Sequence, residues 1–175
     1  MPQRGLTLLE LLITLVILSL LLTIGLPGFQ RQIEETRTLT MTQTLQDAIQ
    51  LARQRAVSRN GRVTLRPLGD WEQGWELFDD GNHNGVRDDG EHVVLTHQLP
   101  PDLGGVTISG NQPMNRAISY IGTGESRHAS GTPLGGFQAG RLTICSPDQS
   151  FGYELVLARM GRMRRQTVGP EVCTN

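Results

Sequence analysis

The sequence predicts an α+β protein, a long N-terminal helix followed by an antiparallel β-rich domain, and three observations carry that expectation. Leucine and isoleucine crowd into the first thirty of 175 residues, and helical spacing of apolar positions continues to about residue 60. Beyond that point short stretches of β-type residues alternate with Gly, Pro, Asn and Asp. The 16 basic and 17 acidic residues leave a net charge of −1, which excludes a globally basic nucleic-acid binder and restricts any polyanion site to a local patch. Every basic residue is arginine, whose planar fork suits phosphate.

From Leu6 to Leu26 the chain reads LTLLELLITLVILSLLLTIGL, twenty-one residues with Glu10 as the sole charge. A helix needs roughly 20 apolar residues to span a bilayer core, so residues 6–28 read as a transmembrane helix. A secretory signal peptide is the competing reading, but the run is too long, its charged n-region is only Arg4, and no small-residue cleavage site follows. Glu10 stands out, because a carboxylate in hydrocarbon costs at least ~2.5 kcal/mol and persists with a partner or within reach of the interface. Residues 29–60 continue as an amphipathic helix, with Ile33, Met41, Leu45, Ala48, Ile49, Ala52 and Ala56 on one face. Pro27 predicts a kink or a melted stretch, making Gly25–Gly28 a hinge or, alternatively, a loop before a separate helix.

Residues 61–175 form the globular domain, with strands expected at 62–66, 74–78, 92–97, 117–121, 141–145 and 153–158. Six glycines between Gly122 and Gly140 and little to bury there predict a long mobile loop. Cys145 and Cys173 lack metal-ligand spacing, and an apolar anchor exporting the domain places both outside the cytoplasm, where a bridge between them persists; two free thiols are the alternative. The stretch DGNHNGVRDDGE, residues 80–91, places Asp80, Asn82, Asn84, Gly85 and Glu91 in calcium-loop register. Strand-like flanks in place of helices leave an acidic hairpin tip as the other reading. Residues 70–102 hold nine carboxylates against Arg87, so that face repels polyanions.

A second cluster, Arg159-Met160-Gly161-Arg162-Met163-Arg164-Arg165, follows the strand YELVLA. Gly161 reads as a hairpin turn from which Arg162, Arg164 and Arg165 project. Residues i and i+2 of a strand share a face about 6.6 Å apart, close to the phosphate spacing of a nucleic-acid strand. No aromatic residues interleave, so contacts to backbone phosphate are favoured over contacts to bases; a basic surface hairpin that only aids solubility is the plainer reading.

MPQRG followed by LTLLELL resembles the processing signature of type IV prepilins and type II secretion pseudopilins, a short polar leader (residues 1–5) ending in Gly before an apolar helix with Glu at its fifth position. The resemblance implies that a prepilin peptidase cuts between Gly5 and Leu6 at the inner membrane and methylates the Leu6 amine. It also implies that Glu10 pairs with the terminal amine of a neighbouring pilin subunit in a filament, a register device, since either charge is costly alone in an apolar core. Leu6 stands where the family usually has Phe, and the leader carries one basic residue where several are common. Over the whole chain, the QLARQRAVSRN stretch at 50–60, the WxxGWELFDDxNxNG hairpin and the C-terminal GRxR are similar to the GspH/FimT group of minor pilins and pseudopilins.

That group implies a type IV pilin-like fold. Its FimT-type members use GRxR to bind DNA during natural transformation, which here corresponds to Gly161, Arg162 and Arg164 with Arg165 adjacent. His83, His92, His97 and His128 are scattered, and no nucleophile elbow, P-loop, zinc spacing or cofactor motif is present, so the chain reads as a non-enzyme without cofactor or metal. The expected role is a minor pilin that captures extracellular double-stranded DNA. The alternative is a structural minor pilin or type II secretion pseudopilin that primes or caps a filament.

Overall fold

The computed structural model describes residues 7–100 and 104–174. The chain divides into two compact units, Met1–Thr36 and Arg37–Asn175. Helix α1 runs from Leu8 to Arg59. Thr7 caps it by accepting the Glu10 amide on Oγ1 at 3.2 Å, so Glu10 sits in the first turn, where free N–H groups favour a carboxylate. The expected cleavage residues Gly5 and Leu6 lie outside the described residues.

In the first unit the leucine, isoleucine and valine side chains between Leu8 and Leu22 are all exposed. Thr14, Ser19 and Thr23 return their hydroxyls to helix carbonyls at Leu11, Val16 and Ser19. Among the described residues no helix is long and apolar enough to cross a membrane. The side chains of residues 24–28 fall outside the description. Helical backbone nevertheless continues through that segment, which corrects the expected melted stretch or loop at Gly25–Gly28. A proline removes a single ladder hydrogen bond, and the turns on either side remain.

In the second unit the end of α1 buries Thr38, Thr42, Leu45, Ala48, Ile49, Ala52 and Ala56 along one stripe. The two threonines were not foreseen on that face; Thr42 fits because its hydroxyl donates to the Thr38 carbonyl at 2.8 Å. Ile33, expected in the stripe, is exposed. Asn60 (φ +48) ends the helix in left-handed conformation, and the Gly61 amide closes back onto the Ala56 carbonyl.

Eight strands follow in two antiparallel sheets. The first has the order β3-β2-β1-β5, from Val63–Pro67 (β1), Gly74–Asp79 (β2), Val93–Gln98 (β3) and Ile118–Tyr120 (β5). The second has the order β4-β6-β7-β8, from Thr107–Gly110 (β4), Gly140–Cys145 (β6), Gly152–Leu157 (β7) and Met163–Val168 (β8). The β4 strand was not anticipated, being four residues long with one buried side chain, too short for a period to register. Leu45, Ile49 and Ala52 of the helix, Leu65, Trp75 and Leu77 of the first sheet, and Leu142, Ile144 and Leu155 of the second belong to a single buried cluster. Cys145, at the end of β6, is bonded to Cys173 in the short helix α2 (Pro170–Cys173). That bridge spans 28 residues and contributes about 3 to 4 kcal/mol in the chain-entropy account.

The glycine-rich segment 122–140 is held in place, contrary to the mobile loop expected. The buried Arg62 guanidinium donates to the carbonyls of Arg127, Pro133 and Leu134 at 3.0 to 3.1 Å and to Ser119 Oγ at 2.8 Å. Arg127 grips Glu125 at 2.7 Å and lies 3.7 Å over the Phe137 ring, while Gln138 bonds the Ser119 amide and the Ala117 carbonyl. Composition registers the glycines but not an arginine sixty residues upstream that binds their carbonyls.

Candidate nucleic-acid interface

The hairpin of β7 and β8 turns over residues 158–162. Ala158 and Arg162 extend the ladder through an N–H···O bond of 2.9 Å, and the Gly161 amide donates to the Ala158 carbonyl at 2.8 Å. Gly161 has φ +78, a left-handed conformation that L side chains rarely adopt. A Cβ on it would lie 2.0 Å from the Gly124 carbonyl oxygen and 3.0 Å from the Tyr120 ring, so the turn packs directly on the loop after β5. Arg53, from α1, fastens this contact by donating Nε to the Gly124 carbonyl at 3.0 Å and Nη2 to the Met160 carbonyl at 3.4 Å. The Ser126 amide holds the Arg159 carbonyl at 3.3 Å.

On this anchored turn Arg162 and Arg164 are exposed. Arg164 is the second residue of β8, and Arg162 immediately precedes the strand, opposite Ala158, where strand geometry continued by one residue would set the two about 6.6 Å apart. Among the described residues neither guanidinium has a carboxylate partner. Seven of the other described arginines are ion-paired: Arg31 on Glu35, Arg55 and Arg59 on Asp79, Arg66 and Arg87 on Glu76, Arg127 on Glu125, Arg141 on Glu154. Arg165 lies on the opposite face, across from the core residue Leu155, with its guanidinium 5.7 Å from the Tyr153 ring centroid. It is exposed but points away from the Arg162–Arg164 pair, because successive strand residues alternate sides. On the pair's own face, Arg141, Val156 and Arg164 form a row across β6, β7 and β8. Arg141 keeps its guanidinium largely exposed while touching Glu154 at 3.4 Å.

Sequence reasoning missed the positioning residues Arg53, Tyr120 and Gly124 and the row partner Arg141. The 50–60 stretch carries the family resemblance, but nothing local in it points to a contact 71 residues away.

The acidic segment behaves differently. Asp80 is fully buried and spends its oxygens on Thr64 Oγ1 at 2.7 Å and on the amides of Asn84 and Gly85 at 3.0 Å. Asn82 and Asn84 both donate to Asp88, which holds that carboxyl below its usual range, and Glu91 accepts the Gly81 and Asp88 amides. The segment connects β2 to β3, as the hairpin reading expected. Among the described residues no three His, Cys, Asp or Glu side chains gather in a metal-holding arrangement. At its base the Arg55 fork bonds Asp79 at 2.7 and 2.9 Å, pulling the carboxyl pKa down and the guanidinium pKa up.

Comparison with known proteins places this geometry in context. Residues 41–161 match the family described as type II transport protein GspH, and residues 1–26 match the prokaryotic N-terminal methylation motif. The chain is 38% identical over 100 residues to the pilin-like protein PilA1 of Thermus thermophilus, a match covering 55% of this chain and 61% of that relative's length. In structure it resembles the type IV minor pilin FimU of Pseudomonas aeruginosa in two crystal forms, at 18% identity and TM-scores of 0.53 and 0.56, covering 73% and 76% of this chain and 91% and 90% of FimU. The minor pseudopilin EpsH of the Vibrio cholerae type 2 secretion system aligns at 12% identity and a TM-score of 0.49, over 77% of this chain and 98% of EpsH. The FimU likeness shows a shared fold, a long helix against antiparallel sheets.

Proposed function

The chain belongs to the GspH family of minor pilins and pseudopilins, and from that premise we propose that it captures extracellular double-stranded DNA through the hairpin bearing Arg162 and Arg164. The observation that carries the reading is a pair of exposed guanidinium groups without acidic partners, on a turn that Gly161 and Arg53 hold rigid. Each fork can take one backbone phosphate in bidentate fashion, and their separation suits successive phosphates. Arg165, across the strand, adds positive potential near the site. The carboxylate-rich β2–β3 segment repels DNA and confines contact to the arginine side. Such binding is independent of base sequence, as capture for uptake requires.

Assembly follows from the N-terminal motif. A prepilin peptidase removes residues 1–5 after Gly5 and methylates Leu6; the apolar helix sits in the inner membrane with the domain in the periplasm, and Glu10 pairs with the amine of a neighbouring pilin in the pilus. A Glu10→Leu chain is expected to insert in the membrane but stay out of filaments, and normal incorporation measured in sheared pili would refute the pairing.

The test of DNA capture is anisotropy of a labelled 30-bp duplex with the full chain in detergent micelles, across salt from about 50 to 200 mM. Wild type is expected to bind weakly, with a log–log salt slope that shrinks by about 1 for each arginine lost in Arg162→Ala/Arg164→Ala. Absence of binding at the lowest salt, or an unaltered slope in the double variant, would leave a pseudopilin that primes or caps a filament, the role that the type II transport description of the family favours.

A further inference from the structure

Between the C-terminal part of α1 and the β7–β8 turn lies a cleft of about 190 Å³, lined by Gln50, Arg53 and Gln54 on the helix and by Tyr120 and Arg162 opposite. We infer that this cleft is a second phosphodiester seat, in which one phosphate of the DNA backbone is bound between Arg53 and Arg162 with the Gln50 and Gln54 amides as neutral donors. The inference rests on the DNA-capture reading and extends its contact surface from the hairpin onto the helix.

Four features support it. Gln50, Arg53 and Gln54 stand at i, i+3 and i+4, so they share one helix face and open onto one space. No carboxylate lines the cleft; Asp47, one turn earlier on the helix, is not among its lining residues. Arg53 spends Nε on Gly124 and one Nη2 hydrogen on Met160, which fixes the guanidinium plane while its remaining N–H groups stay available. Arg53 is exposed and has no carboxylate partner among the described residues, so the charge of this held guanidinium is uncompensated. The volume of about 190 Å³ leaves room for one phosphate with part of its hydration. Arg162 belongs to both sites, so a strand held by Arg164 and Arg162 continues past the turn into the cleft.

The experiment uses the full chain in detergent micelles, the 30-bp duplex and the same salt series. Gln54→Glu exchanges one exposed, helix-favouring side chain for another and puts a negative charge in the cleft; Gln43→Glu does the same three turns earlier, outside it. Gln54→Glu is expected to weaken duplex binding at least fivefold and Gln43→Glu less than twofold. Arg53→Gln is expected to lower the log–log salt slope by about 1, as the loss of a phosphate contact does and a purely structural arginine does not. Equal effects of the two glutamates, or an Arg53→Gln slope identical to wild type, would overturn the cleft. If those results come with binding that still collapses in Arg162→Ala/Arg164→Ala, the hairpin reading survives alone. If the wild-type chain binds no duplex at low salt, both fall together.

Discussion

Replacing Gly161 by alanine tests whether the arginine turn is held by close backbone packing. The left-handed conformation at φ +78 alone costs an alanine about 1–2 kcal/mol. The added methyl would sit 2.0 Å from the Gly124 oxygen, so turn and loop must part by more than an ångström. That separation strains the 3.3 Å bond from Ser126 to Arg159 and the 3.4 Å bond from Arg53 to Met160, each worth about 0.5–1.5 kcal/mol. Together the loss comes to about 3 kcal/mol. Gly131→Ala is the internal reference, because Gly131 has a similar φ of +76 but nothing within 4 Å of the Cβ position, leaving the conformational cost alone. Urea unfolding under non-reducing conditions, followed by fluorescence of the buried Trp71 and Trp75, reads both. With a slope of about 1.5 kcal/mol per molar urea, the midpoint should fall by about 2 M for Gly161→Ala and by about 0.7 to 1.3 M for Gly131→Ala. Equal midpoints in the two variants would refute the packing argument, and Arg162 would then be carried on a loosely tethered turn.

Two further outcomes follow from the structure. Because the Arg55 hydrogen bond depresses the Asp79 pKa, the pair's contribution is complete above the unfolded carboxylate value of about 3.9 and is lost as pH falls through the lower folded value. The urea midpoint of Asp79→Asn should therefore decline less than that of wild type between pH 5 and pH 2, and parallel curves would contradict the linkage. Arg62→Gln strips four loop carbonyls of a buried donor, at a cost of about 2–4 kcal/mol. Amide exchange at His128 and Gly131, which donate to Gly136 and His83, should quicken selectively, and unchanged exchange there would show that Arg62 is not what orders the segment.

Much of this molecule was legible in the chain because local patterns carry it. The Leu45–Ala56 stripe reports a helix face at a period of 3.6, and the strands β1, β2, β3, β5, β6 and β7 declare themselves by β-type residues between turn formers. The Cys145–Cys173 bridge was expected of the chain's two cysteines, which lack metal-ligand spacing. What escaped depends on partners that composition does not name: β4 pairs across to β6, the Thr42 hydroxyl finds the Thr38 carbonyl, and the 122–140 segment is ordered by Arg62.

The candidate site divides the same way. The sequence alone determined that a glycine turn would be flanked by arginines and that strand alternation would align Arg162 with Arg164, since both are consequences of chain geometry over a few residues. Only the tertiary structure decided that Arg165 faces Tyr153 while Arg141 joins the pair's face, and that Arg53 arrives from the helix to brace the turn and open the cleft beside it. Ion pairing decided the rest: which arginines remain without a carboxylate depends on contacts between residues far apart in the chain, and those distances exist only once the helix and both sheets share one core.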